Sequence, residues 1–324
     1  MQPLADPSQT VDAVVIGRNE GARLLTCLAA LRGQVRRVIY VDSGSTDGSA
    51  EAAAAMGAEV VALDMARPFT AARARNAGLA RLAGPDQAAF VQLIDGDCEL
   101  RDGFVAAALA AFADHTRAVV VCGRRRERFP QATLWNRLCD REWDTPLGEA
   151  MACGGDALMR LAAVQAVGGY REDLIAGEEP ELCQRLRRAG GQIWRIDAEM
   201  TWHDAAMTRF GQWWKRTRRA GHAFAEGAAL HGQGPDRHWV AETRRALLWG
   251  LGVPVAALLA GLIHPAGFLL ILLWPLQVLR LARRWQDPQA AVFSVLGKLP
   301  EALGVLEYHL GRLRGRKRGL IEYK

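Results

Sequence analysis

The sequence predicts an α/β fold built on a mostly parallel sheet, followed by a helical region with a long apolar run. Three observations set that expectation. Short β-branched runs alternate with helix-periodic segments from residue 11 to about 205, the pattern of a parallel sheet flanked by helices. Two of those runs end in aspartate, at Asp42 and Asp95, at the strand edge where open α/β sheets bind ligands. From Ala246 to Leu279 there is no Asp, Glu, Lys or Arg.

Taken in order, VDAVVIG (11–17) reads as a strand, and GARLLTCLAALRG (21–33) places Leu24, Leu25, Leu28 and Leu31 at helical spacing before Gly33. RRVIYVDSG (36–44) is a second strand, TDGSAEAAAAMGA (46–58) a helix, and VVALD (60–64) a third strand. FTAARARNAGLARLAG (69–84) is a helix closed by Gly84. AAFVQLID (88–95) is a largely apolar run ending in Asp95, which fits a strand buried on both faces. FVAAALAAFAD (104–114) reads as a helix, AVVVCGRRRERF (118–129) as a strand, 130–152 as flexible, and ALMRLAAVQAVGGY (157–170) as a helix capped by Gly168 and Gly169. EEPELCQRLRRAGG (178–191) has acids and Pro180 in its first turn and arginines in its last, which complements the helix dipole. QIWRIDAEMTWHD (192–204) returns as a strand.

As one helix the uncharged run would be ~50 Å long, against a bilayer core of ~30 Å. IHPAG (263–267) breaks it, and arginines flank both ends. A helical hairpin over 246–279 follows, spanning or re-entrant, with both ends on the cytosolic side. A pair of soluble core helices is the alternative. Val292, Leu296, Leu299, Leu303, Leu306, Leu310 and Leu313 form an amphipathic stripe over about 291–313, bent at Pro300, with a basic tail RGRKRG. Such a helix suits an anionic membrane surface.

The formal charge of +6 fits an anionic partner, and the basic runs 215–219, 280–284 and 312–318 fall in the last third, around the apolar segment. A membrane explains that placement better than nucleic acid, for which no motif is present. Six cysteines without regular spacing read as reduced thiols. The first ten residues lack a basic and apolar leader pattern. The expected location is the cytoplasmic side of the inner membrane. GRNEGARL after the first strand is not the Gly-rich turn of a nicotinamide dehydrogenase.

Asp95 and Asp97, in LIDGDCEL, put two carboxylates at the end of a buried strand. Such a pair binds a divalent cation, which takes substrate phosphates as its remaining ligands. Together with VVIGRNEGARLL, VIYVDSGSTDGSAEAA, AARARNAGLA, ACGGDALMRLAAVQAVGGYRED and GEEPELCQRLRRAGG, all in order over roughly 11 to 205, this string resembles the family 2 glycosyltransferases. The resemblance implies a GT-A nucleotide-binding domain, here over 1–240, followed by a membrane-associated helical region over 241–324. It also implies transfer of one sugar with inversion from a nucleoside-diphosphate sugar, a UDP-sugar first, to a lipid-linked or membrane-presented acceptor. A GDP-sugar with a polyprenyl phosphate acceptor is the nearest variant, and a non-catalytic nucleotide-sugar-binding membrane protein is the alternative of another class.

Carried over by position, the resemblance puts Arg18, Asn19, Glu20, Asp42, Ser43 and Asp47 around the nucleotide, and Arg73 and Asn76 near the ribose or diphosphate. Asp95 takes ribose or a metal-bound water. Asp97 binds Mg2+ or Mn2+ with His203 as a further ligand. Asp156 contacts donor sugar or acceptor. Glu179 is the expected base, with Glu178 its rival, because the family pattern reads Glu-Asp where this chain has Glu-Glu. Membrane-embedded polymer synthases of the family carry Gln-x-x-Arg-Trp. The departure at Gln212 to Arg216, and the shortness of the apolar segment, speak against polymer synthesis.

Overall fold

A computed structural model describes residues 9–315, and the end of the basic tail lies outside them. The strands are β1 (Val11–Gly17), β2 (Val38–Asp42), β3 (Glu59–Ala62), β4 (Phe90–Asp95), β5 (Cys98–Leu100), β6 (Ala118–Glu127), β7 (Gly148–Ala150), β8 (Ala157–Arg160) and β9 (Gln192–His203). Among them run α1 (Ala22–Leu31), α2 (Ser49–Ala55), α3 (Ala71–Leu82), α4 (Phe104–Asp114), α5 (Leu134–Trp143), α6 (Leu161–Ala166) and α7 (Glu178–Arg188).

All nine strands join one sheet in the order 3-2-1-4-8-6-9-5, with β7 added on β9. β1 pairs parallel with β2 and β4, and β6 pairs parallel with β9. β5, β7 and β8 run antiparallel to their neighbours. The core is the inner part of this sheet. Val14, Val15, Ile39, Val41, Leu93, Val120 and Leu158 are at most 1 % exposed, as strands covered by helices on both faces must be.

β1 and α4 occupy the residues the periodicity marks, 11–17 and 104–114. Two segments differ. Residues 157–160 form a strand and only 161–166 are helical. The string ALMR favours helix by composition, but it fills the slot between β4 and β6, where Leu158 pairs with Gln92 and with Val121. Tertiary pairing overrides weak local propensity. The stretch read as flexible contains α5, opened by Thr133, whose hydroxyl accepts from the Asn136 N–H.

The chain divides into two compact units, one of residues 9–174 with 178–206, the other of 175–177 with 207–315. The second unit is helical: α8 (Phe210–His231), α9 (Val240–Leu247), α10 (Val253–Ile263), α11 (Leu273–Trp285), α12 (Pro288–Leu296) and α13 (Lys298–Leu313), with a π turn at Leu248–Gly252 and a 3-10 segment at Pro265–Leu272. Trp213, on α8, is buried against Phe293. α8 and α13 cross at glycine: a Cβ on Gly304 would sit 2.0 Å from the Arg218 carbonyl oxygen, so only glycine permits the approach. Pro300 lies in the first turn of α13, where a missing N–H costs nothing, and the helical path breaks at Gly297 instead.

IHPAG does interrupt the apolar run, with His264 Nδ1 accepting from the Ala266 N–H. Among the described residues, three helical stretches are long and apolar enough to cross a membrane, Val240–Ile263, Pro265–Trp285 and Pro288–Leu313. The second buries none of its apolar window, and Leu269, Leu272, Leu276 and Leu279 are among its exposed side chains. Uncovered leucines at that density mark an interaction surface for protein or lipid, on a stretch long enough to cross a bilayer.

Candidate active site

The first unit gathers its acids at the carboxyl ends of β2 and β4 and at the start of α7, with His203 ending β9. Asp42 ends β2 and is 7 % exposed. Its carboxylate accepts from the N–H groups of Gly44 and Ser45 and from the Tyr40 hydroxyl, fixing the 43–47 turn. Asn19 crosses from β1 to hold the same turn: its Oδ1 accepts the Thr46 N–H, and its own N–H donates to Ser45 Oγ. Asp47 Oδ1 caps Ser49 N–H, and that hydrogen bonding, with the Ser49 hydroxyl foremost, lowers its pKa. Ser43 is buried, with its hydroxyl unpaired among the described residues. Glu20 pairs with Arg23 at 2.7 Å, and Arg18 is exposed at the rim.

Asp95 ends β4 between two arginines. Arg75 Nη2 donates to its Oδ1 at 2.9 Å, and Arg125 Nη2 lies 3.6 Å from its Oδ2. Asp156 is fully buried. It accepts from the Asp95 N–H and the Thr201 hydroxyl and stands 3.4 Å from Arg125 Nε, so it braces the end of β4 rather than facing solvent.

Arg75 reaches further. Its Nη1 donates to Glu178 Oε1 at 3.0 Å and lies 2.9 Å from Glu179 Oε1. Burial opposes its charge, but Glu179 and Asp95 foremost hold its pKa well above the usual value. Glu179 is pushed up to about 7, first by burial and then by Glu178, with Arg75 pulling the other way. The helix dipole at the start of α7 does not keep it fully ionised.

Gly155 makes this packing possible. A Cβ there would stand 2.8 Å from Asp95 Oδ2 and 2.9 Å from Arg75 Nη2. Gly155→Ala is therefore expected to displace the ion cluster and lower the unfolding temperature by several degrees. A melting curve unchanged from wild type would refute this account of the loop.

Asp97 and His203 meet across the turn into β5. His203 Nε2 is 3.4 Å from Asp97 Oδ2, and the buried His203 Nδ1 has no hydrogen-bond partner among the described residues. Ligand atoms of Asp97, Cys98 and His203 all fall within 4.8 Å of one another. Burial first, then neighbouring acids, raises the Cys98 pKa well above normal. Carboxylate oxygen with imidazole nitrogen suits Mn2+, and the residues fit a divalent cation. Trp143 stands edge-on to His203 with Arg125 over its ring at 4.9 Å.

Two of the expected contacts look elsewhere. Arg73 donates to the carbonyls of Asp64, Arg67 and Pro68, which holds the loop before α3. Asn76 exchanges hydrogen bonds with the backbone of Tyr170 and reaches Glu172. Sequence reasoning passed over Arg75, Arg125 and Trp143. The signal for Arg75 was present in AARARNAG, between the two residues chosen.

The sheet is mixed rather than mostly parallel, since β5, β7 and β8 pair antiparallel; with carboxylates of this kind at its edge it is the GT-A arrangement, and solved structures carry the same fold. A mannosyltransferase from Pyrobaculum calidifontis, in complex with GDP-Man and Mn2+, matches with a TM-score of 0.60 and 21% identity, covering 91% of this chain and 88% of its own. S. aureus TarS, residues 1–349, matches at 0.55 and 13%, covering 93% and 92%. Residues 12–163 match the family model described as Glycosyl transferase family 2, and over that stretch the chain is similar to that family. Among curated proteins, the succinoglycan biosynthesis protein ExoA of Rhizobium meliloti is 30% identical over 198 residues, 55% of this chain and 58% of its own. A pre-mycofactocin glycosyltransferase of Mycobacterium tuberculosis is 29% identical over 255 residues, 73% and 51%. The chain spans about half the length of the curated relatives it matches.

Proposed function

We propose that the protein is an inverting glycosyltransferase that moves one sugar from a nucleoside-diphosphate sugar to a lipid-linked or membrane-presented acceptor. The observation that carries this reading is the bridge from Asp95, at the strand edge, through Arg75 to Glu178 and Glu179. It joins a donor-side carboxylate to a base that stands near neutrality.

In this mechanism the turns held by Asp42, Asn19 and Asp47 receive the nucleoside, and Asp95 faces the ribose. Asp97 and His203 would hold Mg2+ or Mn2+, which neutralises charge on the departing diphosphate when bound. Glu179 Oε takes the acceptor hydroxyl's proton as its oxygen attacks the anomeric carbon. Attack from the face opposite the leaving group inverts that carbon. With Glu179 near pH 7, transfer falls as pH drops through 7 and the base becomes protonated.

UDP-sugars are the first donor class to test, with GDP-sugars beside them because the similar P. calidifontis structure holds GDP-Man. Calorimetric titration with UDP and GDP, with and without Mn2+, is the test. Metal-dependent binding of one nucleotide is expected, and binding of neither would overturn the reading. The bare helix 265–285 supports a membrane-presented acceptor, and the arginines at both ends of the apolar run support residence on the cytoplasmic face of the membrane. The protein is accordingly expected to stay with membranes through an alkaline carbonate wash, and release into the supernatant would remove the anchor from the proposal.

A further inference from the structure

One guanidinium serves two parts of this site. Arg75 Nη2 holds Asp95, while Nη1 holds Glu178 and Glu179. Its side chain is 3% exposed, the Tyr170 ring lies 5.5 Å away, and Gly155 closes over Nη2. The cation therefore has no room to leave. Its charge is divided between a carboxylate on the donor side and two on the base side.

We propose that Arg75 is a positioning residue that links occupancy of the donor site to the ionisation of Glu179. This rests on the function proposed above. Asp95 and Glu178 repel a charge on Glu179, and Arg75 attracts it. Arg125 and Asp156 also stand against Asp95, while two further neighbours are uncharged: burial raises the Tyr170 phenol, and hydrogen bonding with Cys183 and then burial raise the Cys153 thiol, both well above their ordinary values. When a cation-bound nucleotide engages Asp95, the repulsion from Asp95 falls and the attraction of Arg75 remains. Glu179 then loses its proton to solvent and becomes the carboxylate that the transfer needs. An enzyme with an empty donor site keeps its base partly protonated.

The test counts protons. Full-length protein in detergent is titrated with UDP or GDP and Mn2+ at pH 7, in buffers of different ionisation enthalpy. Wild type is expected to release about half a proton per nucleotide beyond the release seen with Glu179→Gln, because a group titrating near pH 7 is about half protonated there. Arg75→Met is expected to bind nucleotide with that excess release lost. Arg75→Lys, which keeps the charge and the fold but reaches one partner at a time, is expected to show a reduced release. A purely structural Arg75 would alter stability or affinity and leave the proton count at the wild-type value, and that result in Arg75→Lys overturns the inference. Equal release from wild type and Glu179→Gln overturns it as well. Absence of any nucleotide binding by wild type is the distinct failure, which removes the proposed function and this inference together.

Discussion

Glu179→Gln is expected to slow sugar transfer by roughly two to four orders of magnitude, with nucleotide affinity held within a few-fold. Glutamine keeps the shape of the side chain and cannot accept the acceptor's proton, so the loss falls in the transition state. A second readout separates this role from a structural one. The pKa of Glu179 is raised from the usual 4.5 to about 7, with burial the largest cause. The native state then binds more protons than the unfolded chain between those values, so this group's contribution to stability is present below about 4.5 and is lost as pH rises through 7. Stability of Glu179→Gln relative to wild type should therefore improve as pH rises from 6 to 8. Near-normal turnover in the variant would move the base to Glu178, which shares Arg75 Nη1.

Asp97→Ala is expected to abolish the Mn2+ dependence of nucleotide binding and to lower activity by about a hundredfold or more, since charge neutralisation by a metal is a matter of several kcal/mol. His203→Ala should give a milder form of the same defect, because one of the two converging donors remains. Titration of each variant with UDP or GDP at fixed Mn2+ checks both. Metal-dependent binding that survives in Asp97→Ala would place the cation elsewhere.

Much of this architecture is legible in the sequence. β1 and α4 were bounded by their periodicity and by the glycines and acids at their ends. The acids of the site were legible because strand-terminal carboxylates are costly without partners, so Asp42, Asp95 and Asp97 stood out. Strand β8 was not legible, since Ala157–Arg160 is made of good helix formers and only its pairing with β4 and β6 decides the matter. Arg75 was hidden for a geometric reason. Residues 73 and 75 lie ~200° apart around a helix, so one arginine turns to the loop at 64–68 and the other to the acids. Which one does so depends on how α3 seats against the sheet, and composition carries no record of that.

The stretch Pro265–Trp285 keeps its whole apolar window out of the protein's own packing. Docked in lipid through that surface, the enzyme would look for its acceptor within a thin layer instead of throughout a volume. Confinement of both reactants raises their local concentration without any added contact. An acceptor carried in that layer, as proposed above, would need only a shallow pocket and a weak grip, and its choice would pass in part from the pocket to its lipid.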